Sequence, residues 1–210
     1  MPTLTTTSYA ILSLLAVRPW TTYELSQQME RSVGAMWPRA ASVVYEEPKR
    51  LVQQRLAAAE TKYTGRRAST VYSITAKGRR ALAAWLATPG DSPSIEHEAL
   101  LKVAFADQGS LEGLRANLTA IREYAEGELA YGERRRREYA DTGGPFPERL
   151  PVIALAMRYF EERNLALLRW VEWAEEATAG WTGVAVGSGA AVPPGAFAPS
   201  TGTGDPVRGA

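Results

Sequence analysis

Apolar and polar positions recur along the chain with two different periods, and the changes of period mark its parts. Over Thr5–Ala16 apolar residues stand at Ile11, Leu12 and Leu15, with Ser8 one turn back, which predicts a buried helix that Arg18-Pro19-Trp20 stops. Thr21-Thr22-Tyr23-Glu24 offers a capping box, Thr21 bonding forward to the Glu24 amide while the Glu24 carboxylate reaches back, so a short second helix is expected from about Thr22 to Arg31. A third helical stretch follows Trp37-Pro38, from Ala41 to Arg55, with apolar Val44, Leu51, Val52 and Leu56. Pro48 interrupts it. Lacking an amide and crowding the carbonyl of Val44, it implies either a kink or a regular helix that begins only near Pro48.

From Ala57 the period becomes two. Thr61 and Tyr63 alternate with charged or small residues, Gly65-Arg66-Arg67 supplies a turn, and Thr70, Tyr72 and Ile74 alternate again, predicting a β-hairpin. Thr75 then caps a fourth helix with Leu82, Trp85 and Leu86 before Pro89. Beyond a Thr-Pro-Gly-Asp-Ser-Pro linker around Gly90 the pattern is helical throughout: a short helix near Glu98–Ala106, a long one capped by Ser110 and reaching the arginines at 134 to 137, and a last one at about Pro151–Ala177. The last is apolar over so wide an arc, including Ile153, Leu155, Tyr159, Phe160, Leu167 and Trp170, that one neighbour in the same chain would not cover it. These six are the expected dimer contacts. The expected division is a DNA-binding unit over 1–90, a helical dimerisation or effector unit over 91–181, and a disordered tail over 182–210, whose Gly, Pro, Ala, Ser and Thr cannot bury enough apolar surface to offset ordering entropy.

Charge sharpens this division. The 210 residues carry a net charge of only +1, yet residues 1–90 hold 12 Lys and Arg against 5 Asp and Glu, a balance of +7, and the remainder balances at −6. A basic half joined to an acidic half suits a polyanion-facing module beside one with another task, although uneven chance placement gives the same split. The absence of cysteine excludes disulfides and thiolate chemistry and fits a reducing compartment, and the apolar run Tyr9–Val17 is too short to span a bilayer, so the cytoplasm is expected.

Three helices, a hairpin with a basic tip and a further helix form the order of a winged helix-turn-helix, in which the third helix enters the major groove and the hairpin tip reaches a neighbouring phosphate or the minor groove. The fold class expected is therefore mostly α: a winged helix-turn-helix followed by a helical dimerisation domain. Arg39, Lys49 and Arg67 are candidates for phosphate contacts, Ser42 and Tyr45 for base edges, and Arg66 and Thr70 for the wing's contact with DNA. Tyr45 reads equally well as a core aromatic, and single arginines are usually solvated, so only the cluster carries weight.

The run Ser8-Tyr9-Ala10-Ile11-Leu12-Ser13-Leu14-Leu15-Ala16, then Thr22-Tyr23-Glu24-Leu25, Val44-Tyr45 with Lys49-Arg50-Leu51, and Tyr63-Thr64-Gly65-Arg66-Arg67 leading to Val71-Tyr72-Ser73-Ile74-Thr75 with Gly78 and Leu82, resembles the PadR family of transcriptional regulators. The likeness is close over 5–88; beyond that it extends to length and helicity alone. It implies a homodimer built through the C-terminal helices on a roughly two-fold symmetric operator, usually a repressor, with some members released from DNA by a small aromatic or drug-like molecule. Pro48 departs from the regular recognition helix of a generic member.

Glu96-His97-Glu98 holds the sole histidine of the chain, and no second histidine or cysteine completes a metal set, so no metal or cofactor is expected. Arg134 to Arg137 read as cations complementing the end of a long helix rather than as a second DNA patch. Trp37, Trp170 and Trp173 are candidates for an aromatic effector pocket, with core or dimer packing as the alternative. No acid–base pair, nucleophile or phosphate-cradling loop indicates an enzyme. The rival from another class is a helical interaction protein that uses its winged helix as a protein-docking surface.

Overall fold

The computed structural model describes residues 4–38, 41–64 and 67–197. The chain divides into two compact units between Pro93 and Ser94, three residues beyond the boundary expected at Gly90. It is mostly helical, with one small sheet in the first unit.

In the first unit, α1 (Thr6–Val17) begins with a capping box in which Thr5 and Ser8 exchange backbone and side-chain bonds. Its Ile11, Leu12 and Leu15 are buried, as the apolar spacing predicts. Trp20, read as part of a helix stop, instead opens a two-residue strand, β1 (Trp20–Thr21). Burial explains it: the Trp20 ring is in the core and its Nε1 donates to the Leu14 carbonyl at 2.7 Å. The Thr21–Glu24 capping box starts α2 (Thr22–Gln28) as expected. The expected end at Arg31 is corrected, because α2 widens into a π-helical turn, Met29–Val33, that keeps Met29 in the core.

The third helix, α3 (Ala41–Gln53), runs through Pro48, which excludes a start at Pro48. It ends two residues before the expected Arg55, because Arg55 adopts a left-handed φ of 60° and turns the chain into the sheet. Strands β2 (Ala57–Thr64) and β3 (Arg67–Ile74) pair antiparallel from Ala57↔Ile74 to Thr64↔Arg67, and β1 joins the other edge of β3 at Trp20↔Tyr72, so the sheet order is β1-β3-β2. Thr75 caps α4 (Ala76–Leu86) by accepting the Gly78 amide at 3.0 Å. The Tyr9 and Trp85 rings stack 4.7 Å apart and join α1 to α4. This is a winged helix-turn-helix.

The second unit holds α5 (Glu98–Ala104), α6 (Leu111–Thr142) and α7 (Leu150–Thr178). Helix α6 outlasts its expected end and closes on Gly143 in the left-handed region, φ 74°. Arg134 to Arg137 therefore stand short of its last turn, and the helix-dipole reading of them is corrected. Arg135 pairs with Glu138 at 2.6 Å, Arg137 with Glu133 at 2.9 Å, and Arg136 crosses to Glu161 of α7 at 3.0 Å. Arg122 likewise bridges to Glu175 and Glu172, fastening α6 to α7 around Leu118, Ile121, Ala125 and Val171. Packing continues past residue 181, where the composition predicts a tail: Val184 is buried against Leu114, Leu118 and Ala174. Residues 198–210 of that expected tail lie outside the described residues.

Candidate nucleic-acid interface

Helix α3 has two unlike faces, and the core decides which is free. Val44, Glu47, Pro48 and Leu51 are buried, which turns Ser42, Tyr45, Glu46 and Lys49 outward. Tyr45 is 38% exposed, so the core reading of this aromatic does not hold. Its ring edge and hydroxyl stand beside the Ser42 face, where they can meet base edges.

Lys49 shares this face with Glu46, its Nζ bonded to the carboxylate at 2.6 Å. That hydrogen bond and the charge behind it raise the Lys49 pKa, so the ammonium is fully protonated at neutral pH. Both groups are exposed, the pair is screened, and a phosphate oxygen can replace the carboxylate at little cost. Glu46 is the group that the sequence reading missed here; the i,i+3 spacing of Glu46-Glu47-Pro48-Lys49-Arg50 carried the signal.

The wing is the β2–β3 hairpin. Thr70 lies on β3 opposite Thr61, half-buried within the sheet rather than at its tip. Arg39 and Arg66, expected on the DNA face, lie outside the described residues, as does the side chain of Arg67, whose backbone begins β3. Two other cations of this unit serve the fold: Arg18 covers the Trp20 ring at 3.5 Å and pairs with Glu24 at 3.2 Å, and Lys77 Nζ donates to the Gln54 carbonyl.

The tryptophans of the expected effector pocket fall in both units. Trp37 donates from Nε1 to Thr7 Oγ1 at 3.0 Å and lines an open groove of about 660 Å³ with Leu4, Val43, Glu47 and Arg50. Trp170 packs on the Leu114–Leu118 cluster of the second unit, and Trp173 is 43% exposed. On α7 the expected dimer contacts split similarly. Leu155 and Tyr159 are 74% and 58% exposed and share a face with Val152, whereas Ile153, Phe160, Leu167 and Trp170 are half-buried. Among the described residues there is no cluster of His, Asp and Glu able to hold a metal ion, and no helix is long and apolar enough to cross a membrane.

Residues 11–84 match the family model of the transcriptional regulator PadR-like family, and residues 95–179 match a second, the virulence activator alpha C-terminal model. A protein of Mycobacterium tuberculosis described as a probable transcriptional regulator is 27% identical over 145 residues, covering 63% of this chain and 77% of that protein. Among solved structures, Bacillus subtilis PadR in complex with operator DNA aligns with a TM-score of 0.68 at 21% identity, covering 80% of this chain and 96% of that one. The same Bacillus subtilis protein in complex with p-coumaric acid aligns at 0.61 and 22%, covering 79% and 94%. The Vibrio cholerae virulence activator AphA aligns at 0.57 and 26%, covering 82% and 95%. The winged unit thus belongs to the PadR-like family of transcriptional regulators, and the helical unit matches the C-terminal model of the virulence activators.

Proposed function

We propose that this regulator binds double-stranded DNA as a homodimer, placing α3 of each protomer in the major groove of a palindromic operator and the wing on the flanking backbone. The observation that carries the reading is the outward Ser42, Tyr45 and Lys49 face of α3, held clear of the core by buried Val44 and Leu51. In this reading Arg39, Lys49 and Arg67 bond phosphates and set register, Arg66 and Thr70 make the wing's remaining contact with DNA, and Ser42 and Tyr45 read bases. Dimerisation uses α7, where Leu155 and Tyr159 expose apolar surface that a second copy would cover, with Ile153, Phe160, Leu167 and Trp170 behind them.

Bound across a promoter, such a dimer represses by excluding the polymerase. Activation is the second reading, favoured by the match of residues 95–179 to the virulence activator C-terminal model. A small aromatic effector that releases the DNA is part of the proposal; it is supported by the complex of Bacillus subtilis PadR with p-coumaric acid and by Trp37, Trp170 and Trp173 as aromatic surfaces. The site of action is the cytoplasm, and no chemical transformation is assigned to the chain.

Selecting bound duplexes from a random pool tests the proposal. An enriched inverted repeat with half-sites about one helical turn, roughly 10 base pairs, or a multiple of it apart is expected. A pool without enrichment contradicts it.

A further inference from the structure

The buried side of α3 carries a charge. Glu47 is 8% exposed, an unusual place for a carboxylate, and both its oxygens are taken by one side chain: Arg50 Nε donates to Oε2 at 2.8 Å and Nη2 to Oε1 at 2.6 Å. The same Nη2 also donates to Ser8 Oγ at 2.8 Å. Ser8 is wholly buried and belongs to the α1 capping box, its Oγ accepting the Thr5 amide at 2.9 Å. A continuous polar chain thus runs from Glu47 through Arg50 and Ser8 to Thr5, and it ties α3 to α1. It brackets Pro48, the position at which α3 lacks an amide to offer the Val44 carbonyl.

Glu47 is buried and the Arg50 side chain 33% exposed, so the pair is partly desolvated; such a pair contributes little net stability compared with apolar residues of the same volume, but its geometry is demanding. A bidentate guanidinium fork fixes two planes and one direction, whereas apolar contacts allow a helix to roll by some degrees. Glu47 and Arg50 lie on the same helix, so their fork fixes the guanidinium on α3, and the Arg50–Ser8 bond carries that fixed direction across to α1, adding to the apolar packing of Val44 and Leu51.

We propose that Arg50 is a positioning residue: with Glu47 and Ser8 it sets the rotation of α3 about its axis, so that Ser42, Tyr45 and Lys49 present together to the groove, while Arg50 itself touches no phosphate. The inference rests on the DNA-binding reading above. It distinguishes two neighbours in sequence, Lys49 as a contact and Arg50 as the support of that contact.

The test uses the full-length protein and two duplexes, one selected by the wild type from a random pool and one of the same length scrambled. Arg50→Lys keeps the charge and loses the fork. Its affinity for the selected duplex should fall about tenfold, with affinity for the scrambled one and the slope of log K against log salt both unchanged. Ser8→Ala, a small change that leaves Thr5 capping the Ser8 amide, should move the same ratio in the same direction by less, and it covers the case in which Arg50→Lys unfolds. A slope shallower by about one per protomer with equal losses on both duplexes would make Arg50 a phosphate contact and overturn the proposal. So would an unchanged ratio in a folded Ser8→Ala protein. If the wild type itself fails to prefer any duplex, the underlying DNA-binding reading fails instead.

Discussion

Glu24 shows how one side chain can serve a helix start and report on it. The Thr21 backbone amide and then its hydroxyl hold the Glu24 carboxyl below the usual carboxylate value, burial opposes them, and Arg18 adds a smaller pull in the same direction. A carboxyl whose folded pKa is depressed stabilises fully above its unfolded value, and the contribution is lost as pH falls through the folded value. Because the side chain is 40% exposed, screening limits the effect to less than about 1 kcal/mol. Urea unfolding should therefore find Glu24→Gln weaker than wild type at neutral pH, with the difference shrinking as pH falls below the ordinary carboxylate range. At the interface the residue-scale prediction concerns division of labour. Tyr45→Ala should change the preference among operator variants in a competition binding assay, and Arg67→Ala should weaken binding to all of them alike. Equal losses on every variant for Tyr45→Ala would reject a base-reading role. The capping box of Glu24 was legible because its signal is four consecutive residues. The Arg50–Ser8 bond was not, since it joins positions 42 apart and no local spacing encodes it.

Among the elements, the junction of wing and linker helix is the tightest. A Cβ added to Gly78 would lie 2.1 Å from the Leu56 carbonyl oxygen and 2.9 Å from Ile74 Cγ1, and the first of these is backbone that cannot step aside. Gly78→Ala should cost about 2–4 kcal/mol in thermal or urea unfolding, beyond what ordinary overpacking costs, and a loss under about 0.5 kcal/mol would contradict the packing described. The glycine stood out in the sequence only as part of a motif; its physical reason is a close approach between two elements and needed the fold. Of the two long helices, α7 was legible almost to the residue, spanning 150–178 where about 151–177 was expected, whereas α6 runs on past the arginines at 134 to 137 to Thr142. Short elements were not legible. Strand β1 has two residues and no period of its own, and it exists because Trp20 is buried and Tyr72 offers it a partner. The π turn after α2 is a tertiary effect too, a local widening that keeps Met29 in the core, for which Thr22–Arg31 shows no signal. Pro48 left two readings open because proline suits both a first turn and a kink; burial of its ring among core residues selects the interior position.

For the molecule as a whole, charge and composition change near Gly90, and the compact units divide between Pro93 and Ser94. Composition failed at the C-terminal side, where a low-complexity stretch was expected to be free from 182 and Val184 instead joins the helical core. Val184 packs there beside Trp181, and Thr182 Oγ1 donates to the Ser188 carbonyl at 2.9 Å, local features that an average over the whole stretch hides. The exposed Leu155 and Tyr159 on α7 lead to the dimer prediction: Leu155→Glu, at a position 74% exposed, should leave the helical content by circular dichroism unchanged and shift the mass in solution by light scattering from dimer to monomer. A variant that stays dimeric would place the interface elsewhere without touching the DNA-binding reading. That reading is tested most directly by titrating protein into a selected duplex at several salt concentrations. With Arg39, Lys49 and Arg67 of two protomers each on a phosphate, six contacts give a slope of log K against log salt of about −5, together with clear preference over a scrambled duplex. A slope near zero, or equal affinity for both duplexes, would contradict it.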